Sequence, residues 1–286
     1  MEHKLNISNP FVGGGSTTTM KLKNKVVFIT DADSGSGRAL FRLFAEQGAH
    51  FILNSRSGGA SMKEELKRAS TLGLNIFVSA VDLCSSSGLH AVLEQATLQL
   101  GRVDVLIHNN DLMKPTSIEY GEEDLFLGVL NTNAKSAFIC TKLVGQQMAE
   151  AGSGSIIYVS SIHAQKPTGS SFAYSASKGA VSMLAKEAAL VLGRSGVTVN
   201  TIELGPIKGD NERFASELST LYEDYAYKVP SAVLGSYDDL AQLSLFLASG
   251  EARYVNGADI RLDGGFLQHY MDFNMKRPPL LDSQGG

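Results

Sequence analysis

Val26 to Phe41, "VVFITDADSGSGRALF", is the stretch that decides the fold. A short apolar run leads into a polar turn rich in Ser and Gly, and apolar residues at helical spacing follow. That is the order of a buried strand, a tight loop and an amphipathic helix. Loops of this kind need glycine where the backbone turns sharply and approaches a pyrophosphate, while the helix N-terminus presents N–H groups to the anion. Gly35 and Gly37 supply two such positions, with Thr30, Ser34 and Ser36 around them. Asp31 stands where the first turn would use glycine. Aspartate tolerates left-handed backbone better than most residues, so the turn is expected to survive with an acid beside the anion's path.

Working outward, short β-branched runs alternate with longer amphipathic stretches. Strands are predicted at "KVVFIT", "HFILNS", "NIFVSAV", "VDVLIHN", "SIIYVSS", "VTVNTIEL" and "ADIRLDG". Gly48, Gly73, Gly101 and Gly196 each precede a strand, as helix C-caps in αβ units do. The rhythm predicts one α/β domain, a Rossmann-type doubly wound parallel sheet with helices on both faces. Residues 21–266 form this domain. Residues 1–20 are a Gly-, Ser- and Thr-rich extension expected to be mobile, with Met20 a candidate natural start, and residues 267–286 form a tail. The segment Lys208 to Pro230 breaks the rhythm and reads as a partly exposed helical pair over a cleft.

Composition narrows the function. Lys plus Arg is 25 against 29 for Asp plus Glu, a formal net charge of −4, so no basic field draws the chain to nucleic acid. No apolar run approaches the roughly 18 residues that span a bilayer, and no secretory signal is evident, which predicts a cytoplasmic protein. Cys84 and Cys140 match no metal-ligand or redox spacing and read as buried small hydrophobes, so neither a metal nor a disulfide is expected. Small-molecule chemistry is the class left.

At the tip of the second strand the chain reads Asn54, Ser55, Arg56. A carboxylate there would bind the ribose hydroxyls of NAD, whereas a basic residue can pair with the extra phosphate of NADP. Arg56 therefore favours NADP(H), with NAD(H) the alternative, and Asp33 nearby opposes a second phosphate. Further on, "IIYVSSIHAQKPTGSSFAYSASKGAV" joins a strand ending in paired serines to a helix carrying Tyr174 and Lys178. Four residues apart, the two share a helix face, so the ammonium can stand beneath the phenol and stabilise its anion. A neighbouring positive charge lowers a tyrosine's pKa from about 10 toward neutrality.

The glycine loop, Ser161, the Tyr174–Lys178 pair and the later "LDGGF" occur in the order of the short-chain dehydrogenase/reductase family, which the sequence resembles from about Lys21 to Phe266. Thr30, Gly35 and Gly37 match its TGxxxGxG loop, and Asp31 departs from it. The resemblance makes Asp82 an adenine contact and Leu83 a backbone contact. "HNND", His108 to Asp111, lies where the family reads NNAG and keeps only Asn109. By the same resemblance Asn133 would be the active-site asparagine, with Asn131 the competing register. Gly205 and Ile207 fall in the turn after the sixth strand, with Ile207's backbone facing the nicotinamide carboxamide. Gly209 stands where a threonine often binds the cofactor.

The implied chemistry is hydride transfer between nicotinamide and a ketone or secondary alcohol, most like that of the family's generic carbonyl and β-ketoacyl reductases. Ser161 would bind the substrate oxygen and Tyr174 would donate the proton. Lys178 would lower the tyrosine's pKa and hold the ribose, and Asn133 would anchor a water. His163 lines the pocket or faces solvent. The family commonly forms tetramers, so a homo-oligomer, tetramer or dimer, is implied, with Met271 to Met275 either covering a neighbouring subunit's cleft or forming a frayed tail. The alternatives are a sugar or polyol dehydrogenase, and a non-catalytic sensing or scaffolding subunit, the latter motivated by Asp31, Asn110 and Asp111.

Overall fold

The computed structural model describes residues 20–208, 229–231 and 233–268. The leader, most of the Lys208–Pro230 segment including Gly209, and the Met271–Met275 stretch lie outside the described residues.

Seven parallel strands form one sheet: β1 (Val26–Ile29), β2 (His50–Asn54), β3 (Ile76–Ser79), β4 (Val105–His108), β5 (Gly154–Ser161), β6 (Val197–Leu204) and β7 (Asp259–Leu262). Their spatial order is β3-β2-β1-β4-β5-β6-β7. The order reverses direction between β1 and β4. The helices are α1 (Gly35–Glu46), α2 (Lys63–Thr71), α3 (Ser86–Leu100), α4 (Glu123–Leu130), α5 (Ser136–Glu150), α6 (Phe172–Leu192) and α7 (Tyr237–Ala248).

The central strands read as unbroken apolar runs because both of their faces are covered. Val27 and Ile29 of β1, with Ile157 and Val159 of β5, pack against Leu40, Phe41 and Phe44 of α1 and Leu240 and Leu245 of α7. The alternate residues, Val26, Phe28, Ile156 and Tyr158, face Leu93 and Ala96 of α3, Val144 of α5 and Val181 and Ala185 of α6. Each fully buried aliphatic or aromatic side chain in these layers contributes about 1.5–3 kcal/mol. Gly48, Gly73, Gly101 and Gly196 all adopt positive φ where helices give way to strands, as predicted.

Local signals set the helix ends. Ser34 caps α1, its Oγ accepting from the Gly37 N–H at 3.1 Å. Ser236 and Asp239 form a reciprocal capping box at α7. Between α4 and α5 the helix loosens into a π-helical turn, Asn131–Lys135. Such turns insert an extra residue into the helix and re-aim the side chains within it. Here the turn sends Asn133 inward, where it is fully buried.

Candidate active site

In an open parallel sheet, ligands bind beyond the carboxyl ends of the strands where the strand order reverses. Here that place lies beyond β1 and β4, and the loops leaving β1, β4, β5 and β6 converge on it. They deliver Thr30–Gly37, Asn109–Leu112, Ser161 and Gly205–Ile207 respectively.

The loop after β1 is pinned by Asn109, which is 1% exposed. Its Oδ1 accepts from the Asp31 N–H at 3.0 Å, its Nδ2 donates to the Asp31 carbonyl at 2.8 Å, and its own N–H donates to Thr30 Oγ1 at 3.0 Å. Ser34 Oγ donates to the Asp31 carbonyl at 2.9 Å and pairs with Ser36 Oγ at 3.0 Å. Asp31 does not adopt the left-handed backbone: among the described non-glycine residues only Asn24 has positive φ. The first turn is made by hydrogen bonding, so glycine is not required there. Gly37 is required for space, since a Cβ would stand 2.0 Å from the Asp31 carbonyl oxygen. At Gly35 a Cβ would meet the Tyr237 ring at 2.5 Å. That contact, from the start of α7, has no local sequence signal.

A cavity of about 410 Å³ opens beside this loop, lined by Thr30, Asn54, Arg56, Asp82 and Leu83 among others. Asp82 faces it while its Oδ1 accepts from the Cys84 N–H at 2.9 Å. Cys84 corrects the sequence reading: it is partly exposed and lines the same cavity, with its thiol donating to the Asn131 carbonyl, because the strand-end loop carries it out of the core. Cys140 is buried as expected. Asp33 is gripped by Ser55 and Ser57 Oγ at 2.8 Å each, by the Ser57 N–H at 3.1 Å and by Ser61. Burial opposes its charge, but the hydrogen bonds from Ser61, Ser57 and Ser55 outweigh burial and lower its pKa to about 2. The carboxylate is ionised.

Ser161, Tyr174, Gly205 and Ile207 line a second, smaller cavity, and Asp111 borders both. Gly205 is again a matter of room, as a Cβ would meet Asp263 at 2.5 Å. Lys178 lies under the tyrosine ring, its Nζ 5.4 Å from the centroid and its side chain 1% exposed. The expected partnership of ammonium and phenol is modified by Asp111. The Tyr174 hydroxyl donates to Asp111 Oδ1 at 2.7 Å, and Lys178 Nζ pairs with the same oxygen at 3.0 Å. Lys178 also donates to the carbonyls of Val159 at 3.2 Å and Asn110 at 3.3 Å.

Asn133 is held through its side chain. Both ends of its amide are engaged: Oδ1 accepts from the Leu112 N–H at 2.8 Å, and Nδ2 donates to the Leu112 carbonyl at 3.0 Å and Ser177 Oγ at 2.9 Å. Its side chain holds the Asp111–Leu112 loop against α6. Ser161 Oγ accepts from the His163 N–H at 3.3 Å. His163 does not face solvent; it is 8% exposed and meets the Tyr174 ring edge-on at 5.3 Å. Burial lowers its pKa, the charge of Asp111 opposes that, and Lys178 adds to it. His108, missed by sequence reasoning as a structural residue, is buried with Nε2 2.7 Å from Ser136 Oγ. Burial, assisted by Lys178, lowers its pKa to about 3, so it is a neutral hydrogen-bonding group.

The residues present fit a dinucleotide. The first turn of α1 carries no acid to repel an anion, Gly37 lets the loop lie close, and the larger cavity has Asn54, Arg56 and Asp82 at its wall.

Comparisons agree with this geometry. A family model described as enoyl-(acyl carrier protein) reductase matches residues 31–267. The chain is 34% identical over 254 residues to L-rhamnose 1-dehydrogenase (NAD(P)(+)) of Azotobacter vinelandii, covering 86% of this chain and 98% of the relative. It is 30% identical to 2-dehydro-3-deoxy-D-gluconate 5-dehydrogenase of Pseudoalteromonas atlantica, covering 86% and 97%. Among solved structures, a 7α-hydroxysteroid dehydrogenase complexed with NADH and 7-oxo glycochenodeoxycholic acid superposes with a TM-score of 0.79 at 27% identity, covering 86% and 96%. A doubly substituted short-chain dehydrogenase/reductase of Serratia marcescens superposes with a TM-score of 0.78 at 26% identity, covering 86% and 99%. The chain belongs to the short-chain dehydrogenase/reductase family.

Proposed function

We infer that this nicotinamide-dependent oxidoreductase interconverts a ketone and a secondary alcohol on a small, soluble substrate. The observation that carries the reading is Ser161 and Tyr174 lining one cavity with the Lys178 ammonium beneath the phenol. The cofactor supplies the hydride when bound. Thr30, Ser34, Gly35, Ser36, Gly37 and Asn109 would hold its phosphates against the N-terminus of α1. Asp82 and Leu83 would hold its adenine, and Gly205 and Ile207 its nicotinamide end. Ser161 orients the substrate oxygen by hydrogen bonding, and Tyr174 moves the proton at that oxygen. Lys178 supplies the positive charge beneath it, and Asn133 fixes the neighbouring loop.

Preference for NADP(H) is supported by Arg56, which lines the larger cavity, whereas Asp33 is tied down by serines outside that lining. The names of the rhamnose and deoxygluconate relatives support a sugar or polyol as the substrate. A homo-oligomer is supported by Phe138 of α5 and Met183, Leu190 and Val191 of α6, which are 53%, 57%, 73% and 71% exposed. No described helix is long and apolar enough to cross a membrane, which is compatible with the cytoplasmic reading.

The test is a panel of aldoses, lactones, ketones and secondary alcohols assayed with each nicotinamide cofactor by absorbance, in wild type and Tyr174→Phe. Turnover that is lost in the variant supports the assignment; turnover undiminished in the variant overturns it. A second reading, a non-catalytic sensing or scaffolding subunit, is favoured by the Asp111 carboxylate between Tyr174 and Lys178. It predicts no turnover on any member of the panel.

A further inference from the structure

Among the described residues, Asp111 is a charged group at the centre of the site to which the reaction described above gives no part. It enters from the loop after β4, 19% exposed, and places one oxygen within hydrogen-bond distance of both the Tyr174 hydroxyl and the Lys178 ammonium. Among the described residues, the ionisable groups around the phenol are Asp111 from that loop, Lys178 from α6, His163 from the turn after β5 and Tyr237 from α7. His163 is buried and meets the ring by its edge, so the charges that matter are the carboxylate and the ammonium.

A phenol oxygen 2.7 Å from a carboxylate oxygen keeps that hydrogen bond only while it keeps its proton. Ionising it would remove the hydrogen bond and set two negative oxygens together. The ammonium that would otherwise favour the phenolate binds the same carboxylate oxygen and is further fixed by the Val159 and Asn110 carbonyls. Asn133 clamps Leu112, the next residue, through both its backbone groups, so the carboxylate is held in place from behind.

We propose that Asp111 is a positioning residue that holds Tyr174 protonated by offsetting the charge of Lys178, so that the site rests as a proton donor and the phenolate that alcohol oxidation needs forms only at higher pH. This rests on the reading of Tyr174 as the group that moves the proton. Removing the carboxylate's charge leaves only the ammonium acting on the phenol, and the phenol then ionises at lower pH.

The experiment is a pH titration of the full chain carrying tyrosine labelled with carbon-13 at Cζ, read by NMR, with the Tyr174 resonance assigned by its loss in Tyr174→Phe. Asp111→Asn keeps the shape and removes the charge, and its Tyr174 titration is expected about one to two pH units below that of wild type. The rising limb of the alcohol-oxidation pH profile moves down by the same amount. If Asp111→Asn does not fold, Asp111→Ala serves in its place. An unchanged or raised titration overturns the proposal. A downward shift in a protein without turnover upholds the charge coupling and overturns only the enzymatic reading. An unshifted titration in a protein whose turnover disappears in Tyr174→Phe does the reverse.

Discussion

The two ends of the cleft each place an aspartate where the family's loops have glycine. At the β1 end the loop holds Asp31 by its main chain: the N–H and the carbonyl are both bonded to Asn109, and Ser34 adds a second donor to the carbonyl. The turn keeps its shape without positive φ. At the β4 end Asp111 is used through its side chain, which reaches the Tyr174 phenol and the Lys178 ammonium. One departure is absorbed by main-chain hydrogen bonds, while the other sets a carboxylate against Tyr174 and Lys178.

The largest expected effect lies at the proton-handling end. Tyr174→Phe should lower kcat/KM by about a hundred- to ten-thousandfold, the usual worth of a general acid, with nucleotide binding retained. A variant that loses binding as well would blur the division between the two ends. At the loop end, Gly37→Ala forces a Cβ onto the Asp31 carbonyl, and overpacking of this kind costs about 1–3 kcal/mol. A lowered Tm together with weakened nucleotide binding is expected; a neutral outcome would mean the loop is softer than its hydrogen bonds imply.

The two asparagines that pin these loops sharpen the contrast. Asn109→Ala removes the amide that binds both the N–H and the carbonyl of Asp31 and should cost about 1–3 kcal/mol in chemical denaturation, with weaker nucleotide affinity. Asn133→Ala should leave affinity nearly intact and lower turnover, because it frees the segment carrying Asp111. Equal effects on affinity would show that the ends are not separable.

How much of this was legible follows from range. The strands declared themselves because central strands of a parallel sheet are apolar throughout, and Tyr174 and Lys178 because residues four apart share a helix face. The phosphate loop was legible as a pattern, although its reason was partly misread. Gly37 serves close packing, and Asp31 needs no left-handed backbone. Asp111 was visible as a departure from the family pattern, but its contact with Tyr174 spans 63 positions and no local periodicity reports it. Tyr237 over Gly35 is hidden for the same reason. Asn133 was found by resemblance, and only the π-helical turn shows its amide turned toward Leu112. Cys84 was misjudged because composition says a cysteine is usually buried, while its loop places it at the cavity wall.

The smallest expected effect concerns Asp33. Its folded pKa, about 2, lies below the ordinary 3.8, so its stabilisation is present above about pH 4 and disappears as the pH falls through 2. Asp33→Asn should therefore lower the Tm modestly near neutrality and converge with wild type in strong acid. A deficit that persists at the lowest pH would assign the loss to the altered hydrogen bonding of the serine cradle rather than to charge.

The most direct measurement is a fluorescence titration of the purified protein with NADPH and, separately, NADH. An intact loop beside an altered proton site predicts saturable binding of both, tighter for NADPH through Arg56. Absence of saturable binding by either nucleotide would contradict the account.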